Sequence, residues 1–189
     1  EDLTTGFPLF RMLEHWNGGI NRHSIPLNGD TFTIPFIDEI KFRAIPVKGK
    51  APPYSPHRND PHTGDNIGIQ VIDTKTNKTL FYSPGLGEPT EDTISLMSQS
   101  DCLLVDGTFW EEGEMSKVGL GDKKAADMGH LPQSGDEGMI ELLRPMDKPR
   151  KVLIHINNTN PILDEDSIER ETLDKEGIEV AFDGMELEL

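Results

Sequence analysis

The run Asp101-Cys-Leu-Leu-Val-Asp106-Gly-Thr-Phe-Trp110 reads as a short buried strand, 101–106, that stops on a carboxylate and a glycine turn. Lys151-Val-Leu-Ile-His155-Ile-Asn157-Asn158-Thr159-Asn160-Pro161 repeats the design, with a strand over 151–156 and a cluster of amides behind it. Between the two, residues 137–143 carry helical spacing. After the second, 166–176 reads as an exposed helix with a polar N-cap and Gly177 as its C-terminal stop. Apolar strands that alternate with helices and end on polar residues predict a layered α/β fold. In such folds the chemistry usually sits at the strand ends.

Upstream of this core, apolar residues at helical spacing predict a helix over 6–16, closed by Asn17-Gly18-Gly19. Strands are expected over 32–37 and 40–47. A hairpin is expected over 66–73 and 78–83, turned at 74–77 and broken by Pro84-Gly-Leu-Gly87. A helix over 91–98 leads into the first buried strand. Residues 109–135 are mixed and Gly-rich, and short strands over 178–182 and 185–189 finish the chain. Residues 48–65 form a Pro-rich polar loop, longer than an ordinary connection.

The 189 residues fit a single domain, 1–189, and 34% apolar content supports a core. No apolar run approaches the roughly 18 residues a spanning helix needs. The balance of 18 basic against 34 acidic residues gives −16, which repels phosphate backbones and excludes a general nucleic-acid groove or an anionic membrane surface as partner. Cys102 is the one cysteine, so this chain holds no internal disulfide and no Cys-based zinc site, and its apolar neighbours predict a buried thiol. The chain opens Glu1-Asp-Leu-Thr-Thr-Gly with no initiator Met and reads like the middle of a longer protein.

Asp106 at its strand end suits a metal ligand or a base, although Asp-Gly is also an ordinary turn pair. His155 suits a metal site oriented by its neighbouring amides, or a buried imidazole bonded to a carbonyl, with Asn157, Asn158 and Asn160 shaping the turn. Arg58, His57 and His62 in the long loop could clamp a carboxylate-bearing substrate, or simply be solvated. His130, in Met128-Gly-His-Leu-Pro-Gln-Ser-Gly135, is a weak candidate on its own. No P-loop, dinucleotide fingerprint, nucleophile elbow or His-x-His-x-Asp-His run is present.

Together, Lys50–Gly68, Leu80–Gly87, Asp101–Trp110, Met128–Gly135, Lys151–Asp164 and Glu179–Met185 resemble the PqqB family of pyrroloquinoline quinone (PQQ) biosynthesis, within the metallo-β-lactamase superfamily. The resemblance runs through nearly the whole chain in one order. It implies an αββα sandwich with metal held where the sheets meet, and it implies that this chain is the C-terminal portion. The family's Cys-rich structural zinc site and degenerate His-x-His-x-Asp-His motif would then lie in an N-terminal half outside these residues.

By the same resemblance His155 matches the last metal-binding His of the superfamily, and Asp106 the carboxylate of its Leu-Leu-x-(Asp/Glu)-x-Thr-Phe pattern. Both are therefore expected as metal ligands and catalytic residues. Pro84-Gly-Leu-Gly87 departs from the pattern where most superfamily hydrolases place the Asp that bridges two metals. That argues for a mononuclear site and against a dinuclear hydrolase or nuclease. The activity implied is iron(II)-dependent, oxygen-using hydroxylation of the tyrosine ring of a cross-linked Glu-Tyr precursor cut from the PqqA peptide. Zinc is an expected occupant in crystals. The alternative implied function is a carrier that helps move PQQ or its precursor to the periplasm. Arg58, His57, His62, Asn157, Asn158 and Asn160 are the expected substrate contacts. A cytoplasmic location and a homodimer are further expectations.

Overall fold

The computed structural model describes residues 8–51 and 54–189. In chain order they form α1 (Pro8–Leu13), β1 (Thr31–Phe32), β2 (Ile40–Pro46), β3 (Ile67–Asp73), β4 (Thr79–Ser83), α2 (Glu91–Gln99), β5 (Cys102–Asp106), α3 (Glu114–Lys117), α4 (Ala125–Met128), α5 (Met139–Leu143), β6 (Arg150–Ile154), a 3₁₀ turn (Pro161–Leu163), α6 (Ile168–Lys175) and β7 (Ile178–Val180). The strands make one seven-stranded sheet in sequence order. β1 to β4 pair antiparallel, and β4 to β7 pair parallel through the helical crossovers.

Each parallel crossover steps to the next strand in the same direction, so connections of one hand deliver their helices to one face. The core shows it. Phe81, Leu103, Val105, Leu153, Ile178 and Val180 alternate along β4 to β7 and pack with Met97 of α2, Met139 and Leu143 of α5 and Leu173 of α6. The opposite face carries Ile69, Val71, Leu80, Tyr82 and Leu104, half-buried or exposed. One sheet with its outer helical layer is half of the expected αββα sandwich, and no second sheet forms among the described residues.

Several expected elements come out shorter, for local reasons. The strand over 32–37 survives only as Thr31–Phe32, because Pro35 cannot donate to a ladder and Phe36 is left-handed with φ 72°. β7 ends at Val180 and leads into the Asp183-Gly184 turn, where Gly184 has φ 86°; the strand expected over 185–189 does not form. α1 covers only the middle of the helix expected over 6–16, whose first two residues lie outside those described. Ser167 is the polar N-cap of α6, accepting from the Arg170 amide, and Gly177 closes the helix with φ 65° as expected.

Across β6 and β7 the Arg150 guanidinium grips Glu179 through two bonds of 2.7 and 2.8 Å. That contact holds the carboxyl below its ordinary range. Cys102 is fully buried in β5, and burial pushes its thiol up. Cys102 should therefore resist aromatic disulfide reagents in the folded protein at neutral pH and become reactive in denaturant. Rapid labelling of Cys102 itself in the native state, located by peptide mapping, would contradict this placement.

Candidate metal centre

Asp106, the last residue of β5, is fully buried. The neighbouring strand-end loops supply its partners. Oδ1 accepts from the Thr108 amide at 3.1 Å and the Thr108 hydroxyl at 2.6 Å. Oδ2 accepts from the Leu86 amide at 2.9 Å and faces His130 Nδ1 at 2.8 Å. A carboxylate offers about four lone-pair directions, so all are taken. In this arrangement Asp106 orients His130.

The Leu86 amide comes from the segment Pro84-Gly-Leu-Gly87, which follows β4. The Leu86 side chain is buried in the core and pins the loop, and Ser83 Oγ donates to the Gly85 carbonyl at 3.0 Å. Where the family resemblance places a bridging carboxylate in hydrolases, this chain thus aims a backbone N–H at Asp106. Gly87 lies against the backbone of Gly129, and a Cβ there would meet the Gly129 carbonyl atoms at 2.8 Å. Gly129 itself is left-handed, with φ 88°, and closes α4 so that His130 turns inward.

His155 follows β6 with φ 59°, a left-handed conformation that His tolerates better than most residues. That turn takes it out of the strand and leaves it exposed, where the apolar run around it predicts burial. Its Nδ1 lies 2.8 Å from Thr108 Oγ1, and His130 Nδ1 lies 3.1 Å from the same oxygen. The two imidazoles stack with centroids 5.4 Å apart and planes 25° apart, while Phe109 meets His130 edge-on at 5.7 Å. Asp106, His130 and His155 offer ligand atoms that all lie within 4.8 Å of one another.

The two imidazoles fit a divalent metal, with Asp106 standing behind His130 rather than donating to the ion itself. A buried carboxylate needs a paired charge or a cation nearby, and among the described residues no Lys or Arg reaches Asp106. Two imidazoles backed by a carboxylate form the arrangement that orients metal-binding histidines.

Of the expected site residues, Asp106 and His155 come together, joined by His130, which the sequence left weak. Its signal was the Gly-His pair after a short helix, which only the fold brings beneath β5. Asn160 does not serve a substrate. It is 2% exposed. Its amide donates to the Gly107 and Thr108 carbonyls and Gln133 Oε1, and its oxygen caps the 3₁₀ turn. Asn157 is half-buried and donates to Thr159 Oγ1, which in turn bonds the buried carboxylate of Glu114. Asn158 is exposed next to this turn.

Arg58, His57 and His62 stay within their own loop. Arg58 Nη1 donates to the Ala51 carbonyl at 2.8 Å, and the two His rings meet edge-on at 5.7 Å. None of the three bonds the Asp106 cluster. The loop begins close by, however, because Lys48 bridges Glu88, two residues beyond Leu86.

Residues 1–156 match the family described as "Beta-lactamase superfamily domain". Over its full length the chain is 58% identical to the coenzyme PQQ synthesis protein B of Methylococcus capsulatus and 57% identical to that of Pseudomonas syringae pv. syringae. It spans 62% of the length of each. Among solved structures, zinc-bound PqqB from Methylobacterium extorquens superposes with a TM-score of 0.82 at 33% identity, over 91% of this chain and 57% of that one. A diphosphatase of the PhnP family shares the fold alone, with a TM-score of 0.57 at 14% identity.

Proposed function

The chain belongs to the β-lactamase superfamily, and from that premise we propose that it serves coenzyme PQQ biosynthesis through a single metal held by His130 and His155. Asp106 orients His130, and ligands from outside these residues complete the shell. The observation that carries this reading is the convergence of two histidines on a fully buried carboxylate at the ends of β5 and β6. The kinship with coenzyme PQQ synthesis protein B supports the pathway. The zinc-bound relative supports a metal.

The reaction we propose is hydroxylation of the tyrosine ring of a cross-linked Glu-Tyr precursor. Iron(II), when bound, supplies the dioxygen chemistry. One oxygen atom replaces a ring hydrogen as hydroxyl, and the other leaves as water, with two electrons and two protons from an external reductant of the ascorbate class. The chain's own groups bind and orient. Asn158, exposed three residues after His155, and the loop residues His57, His62 and Arg58 meet the precursor's carboxylates, which the −16 surface otherwise repels.

Arg58→Ala should raise KM for the precursor roughly ten- to a hundredfold with kcat retained, as loss of a hydrogen-bonded charge pair of about 1.5–3 kcal/mol predicts. A fall in melting temperature with KM unchanged would leave Arg58 only its bond to Ala51. For the reaction itself, the intact iron-loaded protein given precursor, reductant and oxygen-18 should yield product carrying one labelled oxygen atom. Saturable binding of PQQ with no oxygen consumed, metal loading confirmed, would replace the enzyme reading by the carrier.

A further inference from the structure

Thr108 is 5% exposed, and its one hydroxyl touches three polar atoms. It lies 2.6 Å from Asp106 Oδ1, 2.8 Å from His155 Nδ1 and 3.1 Å from His130 Nδ1. A threonine hydroxyl has one hydrogen to give and two lone pairs to accept with. The shortest of the contacts is to a buried carboxylate, in the roughly 2.5–2.7 Å range of charge-assisted O–H···O⁻ bonds, so the hydrogen belongs there. Toward both imidazoles the oxygen is then left only to accept.

We infer that the Thr108 hydroxyl is a positioning group that fixes the tautomer of both histidines, placing the proton on each Nδ1 and leaving each Nε2 lone pair to bind a cation. For His130 a second acceptor, Asp106 Oδ2 at 2.8 Å, enforces the same choice. For the exposed His155, Thr108 is the one hydrogen-bond partner of its ring among the described residues. The consequence is asymmetric. Loss of the hydroxyl leaves His130 held by Asp106 and frees the His155 ring to turn or to move its proton to Nε2, where it would block a ligand.

This inference rests on the metal-site reading, but its first test needs no metal. Nitrogen-15 spectra of the histidine rings in the metal-free intact protein, at alkaline pH where imidazole is neutral, should show protonated Nδ1 and bare Nε2 at both positions. An Nε2–H tautomer at either would overturn the inference. With cobalt(II) as probe, Thr108→Val should weaken binding roughly 10- to 100-fold, the usual loss when an orienting partner is removed. Thr108→Ser, which keeps the hydroxyl, should bind close to the unsubstituted protein. A folded Thr108→Val protein with unchanged cobalt affinity and spectrum would overturn the role. If Thr108→Val does not fold, the ring spectra decide alone. If the tautomers are as stated but the intact protein takes up no cobalt, the metal reading fails and the tautomer assignment stands.

Discussion

Asp106→Asn should destabilise the protein by several kcal/mol and strip the site of metal, although the substitution is nearly isosteric. The carboxylate accepts four bonds inside the protein: two from Thr108, one from the Leu86 amide and one from His130. An Asn side chain has an acceptor on one side and two donors on the other. With its NH₂ turned to the Leu86 side, two donors meet across a buried gap. With its NH₂ turned to the Thr108 side, the Thr108 amide loses its acceptor. Each buried group left unsatisfied costs about 1–3 kcal/mol, more beside a charge. The loss of negative charge also removes what holds His130, so metal affinity should fall at least roughly 10- to 100-fold. Urea denaturation and metal titration of the variant measure both. Near-native stability would mean that Asp106 is an ordinary turn residue.

Gly107→Ala should damage the site although it adds only a single methyl group. Its Cβ would meet the Ile154 carbonyl oxygen at 2.9 Å and Leu153 Cβ at 2.9 Å, with Ile156 Cγ1 at 3.3 Å. Those atoms belong to β6 and its exit, held against β5 by the 2.8 Å bond from the Gly107 amide to Ile154. The strands must part by some tenths of an ångström, at a cost of about 1–3 kcal/mol for overpacking. Because His155 follows Ile154, the displacement carries one ligand away from the other. Gly107→Ala should therefore lose metal affinity beyond what its melting temperature suggests. A variant with reduced stability but unchanged metal binding would show that β6 and His155 move independently.

The parallel half of the sheet was legible because its strands are buried on the core side and bounded by turns, so β5 and β6 announce themselves as apolar runs. Their polar ends were legible for the same reason, and with them Asp106 and His155. What the sequence did not carry was depth. The amides near Asn157 look alike in one dimension, yet Asn160 is sealed among the Gly107, Thr108 and Gln133 acceptors while Asn158 faces out. His130 stayed weak because it lies 24 residues beyond Asp106, in a stretch of short helices with no periodicity, and only Gly87 packing against Gly129 brings it under the strand end. The strand expected over 32–37 fails at Pro35, which cannot donate to a ladder however regular the apolar alternation around it.

The most direct measurement is the metal-to-chain ratio of the intact protein, purified without oxygen, beside those of His130→Ala and His155→Ala. Each variant should lose one equivalent of iron while keeping its fold by circular dichroism. Ratios identical in all three proteins would place the metal elsewhere and contradict a centre built on His130, His155 and Asp106.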